Sequence, residues 1–412
     1  MTALEFFRLQ TREEVLALYD RFGPVGVEEL DLAEACGRVL AAPINAPEEV
    51  PGFLRATMDG YAVRAQDTFG AGVGAPQYLD LKGEVSMGVA PTRGVGHGET
   101  LRVATGAMLP PGADAVVMVE HTAEVEGWLT LQRPVQAGEN VIPVGQDVAA
   151  QQLVLGCGSM VGPAEVAVLA TIGRLRAKVH RAPVVAVLST GDELVEPGAA
   201  ITGGMIRDSN RYGLLAAVSE AGCRPVSLGI ARDDPAEQEQ RVRSGLSEGD
   251  VVLTSGGVSV GSRDLIKSIL ERLGKVHFGR VAMKPGKPLT FATVGNKLVF
   301  GLPGFPVSSL VTFELFVRPA LLKMQGRPVV SRPRAAVALE HEVSRTADRV
   351  EFQRAHVRRE GHRLLAQTTG VQASSRLLSL VGANALLRIP AGTGTIAAGE
   401  EVEALLIGPW ET

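Results

Sequence analysis

The chain has 412 residues, room for about two to four domains of ordinary size. Its 41 basic and 45 acidic side chains nearly cancel to −4, which argues against a general polyanion binder, and aromatics at 4% leave few platforms for stacking nucleic-acid bases. Hydrophobic residues at 45% exclude a disordered protein and are enough for packed cores.

The first 45 residues read as helical in two pieces. Thr11 and Glu14 have capping-box spacing ahead of Val15, Leu16 and Leu18, and Asp31 is placed to cap a helix with Leu32, Cys36 and Leu40 on one face. Prolines at 43, 47 and 51 then extend the backbone. From about 50 to 147 the pattern becomes short β-type runs such as Leu101 to Ala104 and Ala115 to Val119, separated by glycine and proline turns, which predicts a β-rich insert. A helix returns at Pro163-Ala164-Glu165, with Val166, Leu169 and Ile172 at helical spacing before Gly173.

After residue 183 apolar strands alternate with helices. The order is Val184 to Leu188, helix Tyr212 to Glu220, Val226 to Ile230, helix Pro235 to Leu246, Val251 to Leu253, and helix Leu265 to Leu273. Such alternation predicts βαβ units, a parallel sheet between helices, and a ligand at its carboxyl edge. The apolar segment Pro306 to Met324 ends at Gly326 and Pro328. Beyond it, Arg334 to Glu342, Ala355 to Arg358 and Glu401 to Leu406 predict a small barrel or sandwich. The expected domains are 1–45 with 148–180, 46–147, 181–327 and 328–412.

No apolar run reaches the roughly 18 residues of a membrane-spanning helix, and the opening Met1-Thr2-Ala3-Leu4-Glu5 shows no basic leader before an apolar core. Cys36, Cys157 and Cys223 are odd in number, far apart and without C-x-x-C, which suggests neither a disulfide framework nor a zinc knuckle. A cytoplasmic chain without membrane or nucleic-acid partners is the expectation.

Four loops carry the chemistry. Ser189-Thr190-Gly191-Asp192-Glu193-Leu194 and Thr254-Ser255-Gly256-Gly257-Val258-Ser259-Val260-Gly261-Ser262-Arg263-Asp264 follow two apolar strands. Glycine and hydroxyl residues after a strand let backbone N–H groups approach an anion, and Asp192, Glu193 and Asp264 offer hard oxygens to Mg²⁺ beside phosphates. The same acids also suit plain helix caps. Met283-Lys284-Pro285-Gly286-Lys287-Pro288 holds two lysines on a stiffened turn, and Gly301 to Ser308 is a sharp turn into a helix. Gly257-Val258-Ser259-Val260-Gly261 also matches the G-x-S-x-G elbow of α/β-hydrolases, with Asp264, His341, His356 and His362 downstream. No HGGG-type segment precedes it, and these histidines have no metal-ligand spacing.

Together these loops resemble the molybdopterin molybdenumtransferase family, the MoeA type that includes the gephyrin E domain. The matching stretches are Met58 to Val63, Ala104 to Ala107, Ser189 to Leu194, Gly256 to Asp264 with Lys267, Met283 to Pro288, Gly301 to Ser308, Arg349 to Arg354 and Gln372 to Arg376. The resemblance implies an elongated, multidomain subunit of α/β plus β class: a split helical and extended domain, a β-rich insert, a parallel-sheet α/β domain and a C-terminal β-barrel. It implies a homodimer with a cleft shared between subunits, and insertion of molybdate into adenylylated molybdopterin with release of AMP. A divergent molybdopterin-binding or scaffold paralogue, and a serine hydrolase using Ser259, are the competing readings.

The resemblance also assigns roles. Gly256, Gly257 and Ser259 would cradle phosphates, with Asp208, Ser209, Asn210, Pro303 and Pro306 lining the substrate. Lys284, Lys287, Ser308, Arg349 and Ser374 would receive the oxyanion. Glu193, Asp264 and Asp59 would be catalytic, Glu193, Asp264 and Asp147 would hold Mg²⁺, and Asp59, Thr105 and Asp147 would come from the insert. The adenylating protein and apo-molybdoenzymes are implied partners. The chain departs from the family at Phe305, where asparagine is usual, at Ala56-Thr57, and at Ile142-Pro143-Val144.

Overall fold

The computed structural model describes residues 8–257, 265–346 and 348–409. Residues Glu29–Val179 form one compact unit, the inserted unit, and the described residues on either side of them form a second, the main unit.

The main unit opens with helix α1 (Arg12–Leu18), whose capping box is the one the spacing predicted. Thr11 Oγ1 accepts from the Glu14 N–H at 3.1 Å, and Glu14 Oε2 accepts from the Thr11 N–H at 2.8 Å. The helix expected after Asp31 is corrected to a single turn, Leu32–Ala35. Asp31 makes no side-chain cap there and pairs instead with Arg176 Nε at 3.0 Å. Gly37 at φ +81° turns the chain, so Cys36 ends exposed while Leu40 is buried.

In the inserted unit six strands, β1 (Gly60–Val63), β2 (Gln77–Val85), β3 (Glu99–Val103), β4 (Ala115–Met118), β5 (Thr122–Val125) and β6 (Trp128–Leu131), make one curled sheet in the order β4-β1-β3-β2-β6-β5. Both faces are covered. Tyr61, Val63, Ala115 and Val117 enter one core, and Ala62, Val116, Leu101 and Val103 enter the other. Burial on both faces is why Ala115-Val116-Val117 is continuously apolar instead of alternating. Helix α2 (Pro163–Thr171) packs Leu169 with Ile172, Leu40, Ala46 and Val179 in a separate core.

The remainder of the main unit begins with β7 (Val184–Thr190), α3 (Asn210–Glu220), β8 (Arg224–Ala231), α4 (Pro235–Glu248), β9 (Val251–Ser255), α5 (Leu265–Leu273) and β10 (Lys275–Arg280). There follow β11 (Met283–Lys284), β12 (Pro288–Val294), β13 (Lys297–Leu302), α6 (Pro306–Thr312), a π-helical turn at Phe313–Val317, and α7 (Arg318–Met324). The sheet order is β8-β7-β9-β13-β12-β10. The first four strands are parallel, as expected, and β12 and β10 add an antiparallel edge. Val185, Val187, Val251 and Phe300 face one core, and Ala186, Leu188, Val252 and Val299 the other.

The connections put the switch point between β7 and β9. From β7 the chain moves to β8 on one side and then returns to place β9 on the other. Their adjacent carboxyl ends, Thr190 and Ser255, therefore open the crevice where ligands of such sheets bind.

Five further strands, β14 (Arg334–Leu339), β15 (Val350–Glu360), β16 (Arg363–Thr368), β17 (Ala385–Ile389) and β18 (Glu401–Leu406), close as a barrel, β15-β16-β14-β18-β17 and back to β15. Val337, Ala355, Val357, Leu387 and Ala404 fill it. β11 joins the barrel in parallel with β15, Met283 opposite Val350 and Lys284 opposite Glu351, so one ladder ties the lysine turn to the barrel. No helix among the described residues is long and apolar enough to cross a membrane.

Candidate functional site

At the switch point the backbone is drawn tight. Gly256 and Gly257 have φ +96° and +69°. A Cβ on Gly256 would stand 2.5 Å from the Thr190 carbonyl oxygen, and one on Gly257 would stand 3.1 Å from Thr190 Oγ1 and from Ile266. Only glycine gives both the positive φ and the close approach. The Gly256 N–H donates to the Leu302 carbonyl at 3.2 Å, tying the turn to the end of β13.

Asn210, in the first turn of α3, donates from Nδ2 to Ser255 Oγ and to the Gly304 carbonyl, both at 2.7 Å. One amide thus ties three loops together. Ser209 lies exposed beside it. Asp208 is 1% exposed and sits inside the fold: its carboxylate accepts from Ser189 Oγ at 2.8 Å, the Arg211 N–H at 3.1 Å and Arg211 Nε at 2.9 Å. Arg211 continues from Nη1 to Ser227 and from Nη2 to both carboxylate oxygens of Glu196.

The lysine turn lies against α6, since a Cβ on Gly286 would strike Thr312 Oγ1 and stand 3.4 Å from the Ser308 carbonyl. Ser308 is buried, and next to it the Val307 N–H donates to the Ser374 carbonyl at 3.2 Å. Pro303 and Pro306 bound the connecting turn, with Pro306 in the first turn of α6. Phe305 occupies the N-cap, where its ring gives α6 no side-chain hydrogen bond and stands 61% exposed. A chain of contacts therefore joins Thr190, Gly256, Ser255, Asn210, Gly304, Val307, Ser374, Ser308 and Gly286.

Sequence reasoning missed three residues here. Lys284 Nζ lies 3.1 Å from Glu351 Oε1 and 3.4 Å from Thr346 Oγ1, while Thr346 donates to Glu351 Oε2 at 2.6 Å. Glu351 is 3% exposed, so a buried carboxylate holds the lysine in place. Arg354, wholly buried, donates to Ser379 Oγ and the Ala373 carbonyl, and its own N–H donates to Gln372 Oε1; it fixes the loop that carries Ser374. Glu351 and Arg354 lie in the stretch Arg349 to Arg354 that resembles the family, but nothing local in it assigned them these roles. Arg349 donates to Asp348 and lines a separate cavity.

Glu193 is exposed, three residues after Thr190, with its carboxylate folded over Gly191. Ser259 and Asp264 lie outside the described residues. Among the described residues no three His, Cys, Asp or Glu side chains gather as a metal site. His341 Nε2 accepts from the Thr368 N–H at 3.2 Å within the barrel.

In the inserted unit Asp59 Oδ1 accepts from the Thr105 N–H at 2.6 Å and from Thr105 Oγ1 at 2.8 Å. These two bonds hold its pKa below the ordinary carboxylate range. Asp147 is exposed, its N–H donating to the Val50 carbonyl at 3.0 Å. Removing the hydroxyl in Thr105→Val is expected to move the Asp59 midpoint up toward the usual carboxylate value, read by carboxyl-carbon NMR titration. A depressed folded pKa stabilises above the unfolded value of about 4, and that stability is lost as pH falls through the folded one. The acid limb of the unfolding curve should therefore shrink in the variant, and an unmoved midpoint would remove the hydroxyl from this account.

Taken with the fold, this is a multidomain α/β protein with linked glycine, hydroxyl and lysine loops beside a parallel-sheet switch point. Three family models match it in order: MoeA N-terminal region (domain I and II) over residues 9–173, probable molybdopterin binding domain over 186–323, and MoeA C-terminal region (domain IV) over 336–407. A molybdopterin molybdenumtransferase of Haemophilus influenzae is 35% identical over 392 residues, covering 92% of this chain and 93% of that protein. One from Bacillus subtilis is 36% identical over 385 residues, covering 92% and 90%. Gephyrin of Dictyostelium discoideum is 34% identical over 432 residues, 93% of this chain but 60% of gephyrin. The crystal structure of a molybdopterin biosynthesis moeA protein from Pyrococcus horikoshii superposes with TM-score 0.86 at 36% identity, covering 98% of this chain and 100% of that one. The chain belongs to the molybdopterin molybdenumtransferase, or MoeA, family.

Proposed function

We propose that the chain acts in molybdenum cofactor biosynthesis as a Mg²⁺-dependent molybdopterin molybdotransferase, inserting molybdate into adenylylated molybdopterin and releasing AMP. The observation that supports this reading is that hydrogen bonds and close packing link four separate loops beside the β7–β9 switch point. Such a site must hold a nucleotide-linked pterin phosphate beside a second oxyanion against their mutual repulsion, and then stabilise charge as a phosphoanhydride bond breaks.

The Gly257 amide, with Ser259 and the close-approaching backbone of Gly256, would cradle the phosphates. Lys284, Lys287, Ser308 and Ser374 would receive the oxyanion, while Arg349, which the resemblance grouped with them, faces the separate cavity. Such donors do not separate molybdate from tungstate, both tetrahedral dianions. Mg²⁺ takes one or two carboxylates, keeps waters and fills its shell with phosphate oxygens; exposed Glu193, folded over Gly191, would supply one oxygen ligand and Asp264 the second. The ion would offset the charge that builds on the bridging phosphates. Asp59, Thr105 and Asp147 would reach the groove from the second subunit of a homodimer. In the cytoplasm the adenylating protein would supply the substrate and apo-molybdoenzymes would take the product.

AMP release from adenylylated molybdopterin should require both molybdate and Mg²⁺. Glu193→Gln should lower it about 100-fold with the fold intact by circular dichroism. Binding without turnover would favour a scaffold, and undiminished turnover in the variant would remove Glu193 from the chemistry. A fluorophosphonate probe should leave Ser259 unlabelled, because His341 is engaged within the barrel.

A further inference from the structure

The ladder between β11 and β15 has two faces. Lys284 and Glu351 occupy one, while Met283, Val350 and Phe352 turn to the other, where they line a cavity of about 250 Å³. The N-terminal segment closes it: the Gln10 N–H donates to the Arg280 carbonyl and the Ala282 N–H to the Gln10 carbonyl, which brings Thr11 and Arg12 to the rim. Its wall is apolar at Val281, Phe316 and Leu405.

Four arginines line this space, Arg12, Arg334, Arg349 and Arg388, with Glu13 and Glu403. Arg349 is matched by Asp348. Glu403 alone is shared by Arg334 Nη1 at 3.5 Å and Arg388 Nε at 4.0 Å, both loose pairs. Arg12 Nε is buried and has no hydrogen-bond partner. Burial and the adjacent Arg334 push the Arg12 guanidinium pKa down, against the smaller pull of Glu13 and Glu403. A buried donor with no acceptor, beside two guanidiniums that share one carboxylate, is costly unless something anionic completes it.

We infer that this cavity binds a small phosphomonoester, with the phosphate on Arg12, Arg334 and Arg388 and the organic body against Phe316 and Leu405. The planar forks of arginine match phosphate oxygens bidentately. At roughly 30 Å³ per water the space holds about eight waters, more than a bare phosphate displaces, so an ester with an apolar body fits it better than the inorganic ion. The site goes beyond the proposed transferase chemistry and uses the opposite face of the ladder.

Phenyl phosphate titrated calorimetrically into the full chain tests this, with inorganic phosphate as the second arm and chloride at matched ionic strength as the control. Because the groove also attracts anions, location is read from variants. Arg12→Gln should weaken phenyl phosphate binding at least about tenfold, as removal of one charge-assisted contact does, while Lys287→Ala in the groove should leave it unchanged. Inorganic phosphate should bind more weakly than phenyl phosphate and respond to the same variants. In phosphate-free, low-salt buffer Arg12→Gln should melt no lower than the parent, because it removes an uncompensated charge. If Arg12→Gln does not fold, Arg388→Gln carries the same comparison. Loss of binding in Lys287→Ala but not in the arginine variants, heats or melting shifts equal to those in chloride, or a lower melting point for a folded Arg12→Gln would each overturn the inference.

Discussion

Gly256→Ala is expected to lower kcat/KM for AMP release at least about 100-fold while the protein still folds. At φ +96° an alanine bears a strain of about 1–2 kcal/mol. Its Cβ would stand 2.5 Å from the Thr190 carbonyl oxygen, and Thr190 ends a parallel strand flanked on both sides, so the backbone it meets has no room to retreat. The turn must move instead, and a displacement of about 1 Å in a positioned site costs around two orders of magnitude in rate. Gly304→Ala is the internal control. There the nearest atom, Gly256 Cα, is 3.7 Å away, an ordinary contact, so the rate should stay within about twofold to threefold. AMP release and denaturant unfolding on both variants check this together. Parental turnover in Gly256→Ala would mean that the glycine turn does not cradle the phosphates.

Runs of residues with one required environment were legible before the structure. Val185 to Leu188 and Val251 to Leu253 are buried on both faces, so no polar residue interrupts them, and the strand-helix alternation followed directly. The capping box at Thr11 and Glu14 was equally local. What escaped depends on partners distant in sequence. The β12–β13 hairpin turns at Gly295, φ +58°, inside a region whose strands are as apolar as their parallel neighbours, so direction was not encoded in composition. Asp31 has the right residue type and position for a cap, yet Arg176 lies within 3.0 Å and takes its carboxylate. The loops of the groove were visible as glycine, hydroxyl and lysine clusters. The groups that hold them in place, Glu351 beneath Lys284 and Arg354 beneath the Ser374 loop, were not, because a charge in a strand reveals its burial only once the barrel closes over it.

Asp208 draws the same distinction in a measurable form. It adjoins Ser209 and Asn210, and a substrate-binding role would predict that Asp208→Ala raises KM and leaves stability alone. Its carboxylate is 1% exposed and accepts three hydrogen bonds, from Ser189 on β7 and twice from Arg211 on α3. Arg211 is itself 6% exposed. Removing Asp208 takes one of two anions from a buried guanidinium and strands the Ser189 hydroxyl. Glu196 remains at 2.6 Å, so the cost should fall at the low end for a broken buried pair, about 2–3 kcal/mol. Asp208→Asn keeps an acceptor for Ser189 and should recover part of that. Turnover should fall only as far as the helix start shifts, because Asn210 holds Ser255 and Gly304 from the same turn of α3. Denaturant unfolding of both variants beside KM for the adenylylated pterin decides it: a stability loss with nearly unchanged KM makes Asp208 the anchor of the groove's wall, and a raised KM at full stability would make it a substrate ligand after all.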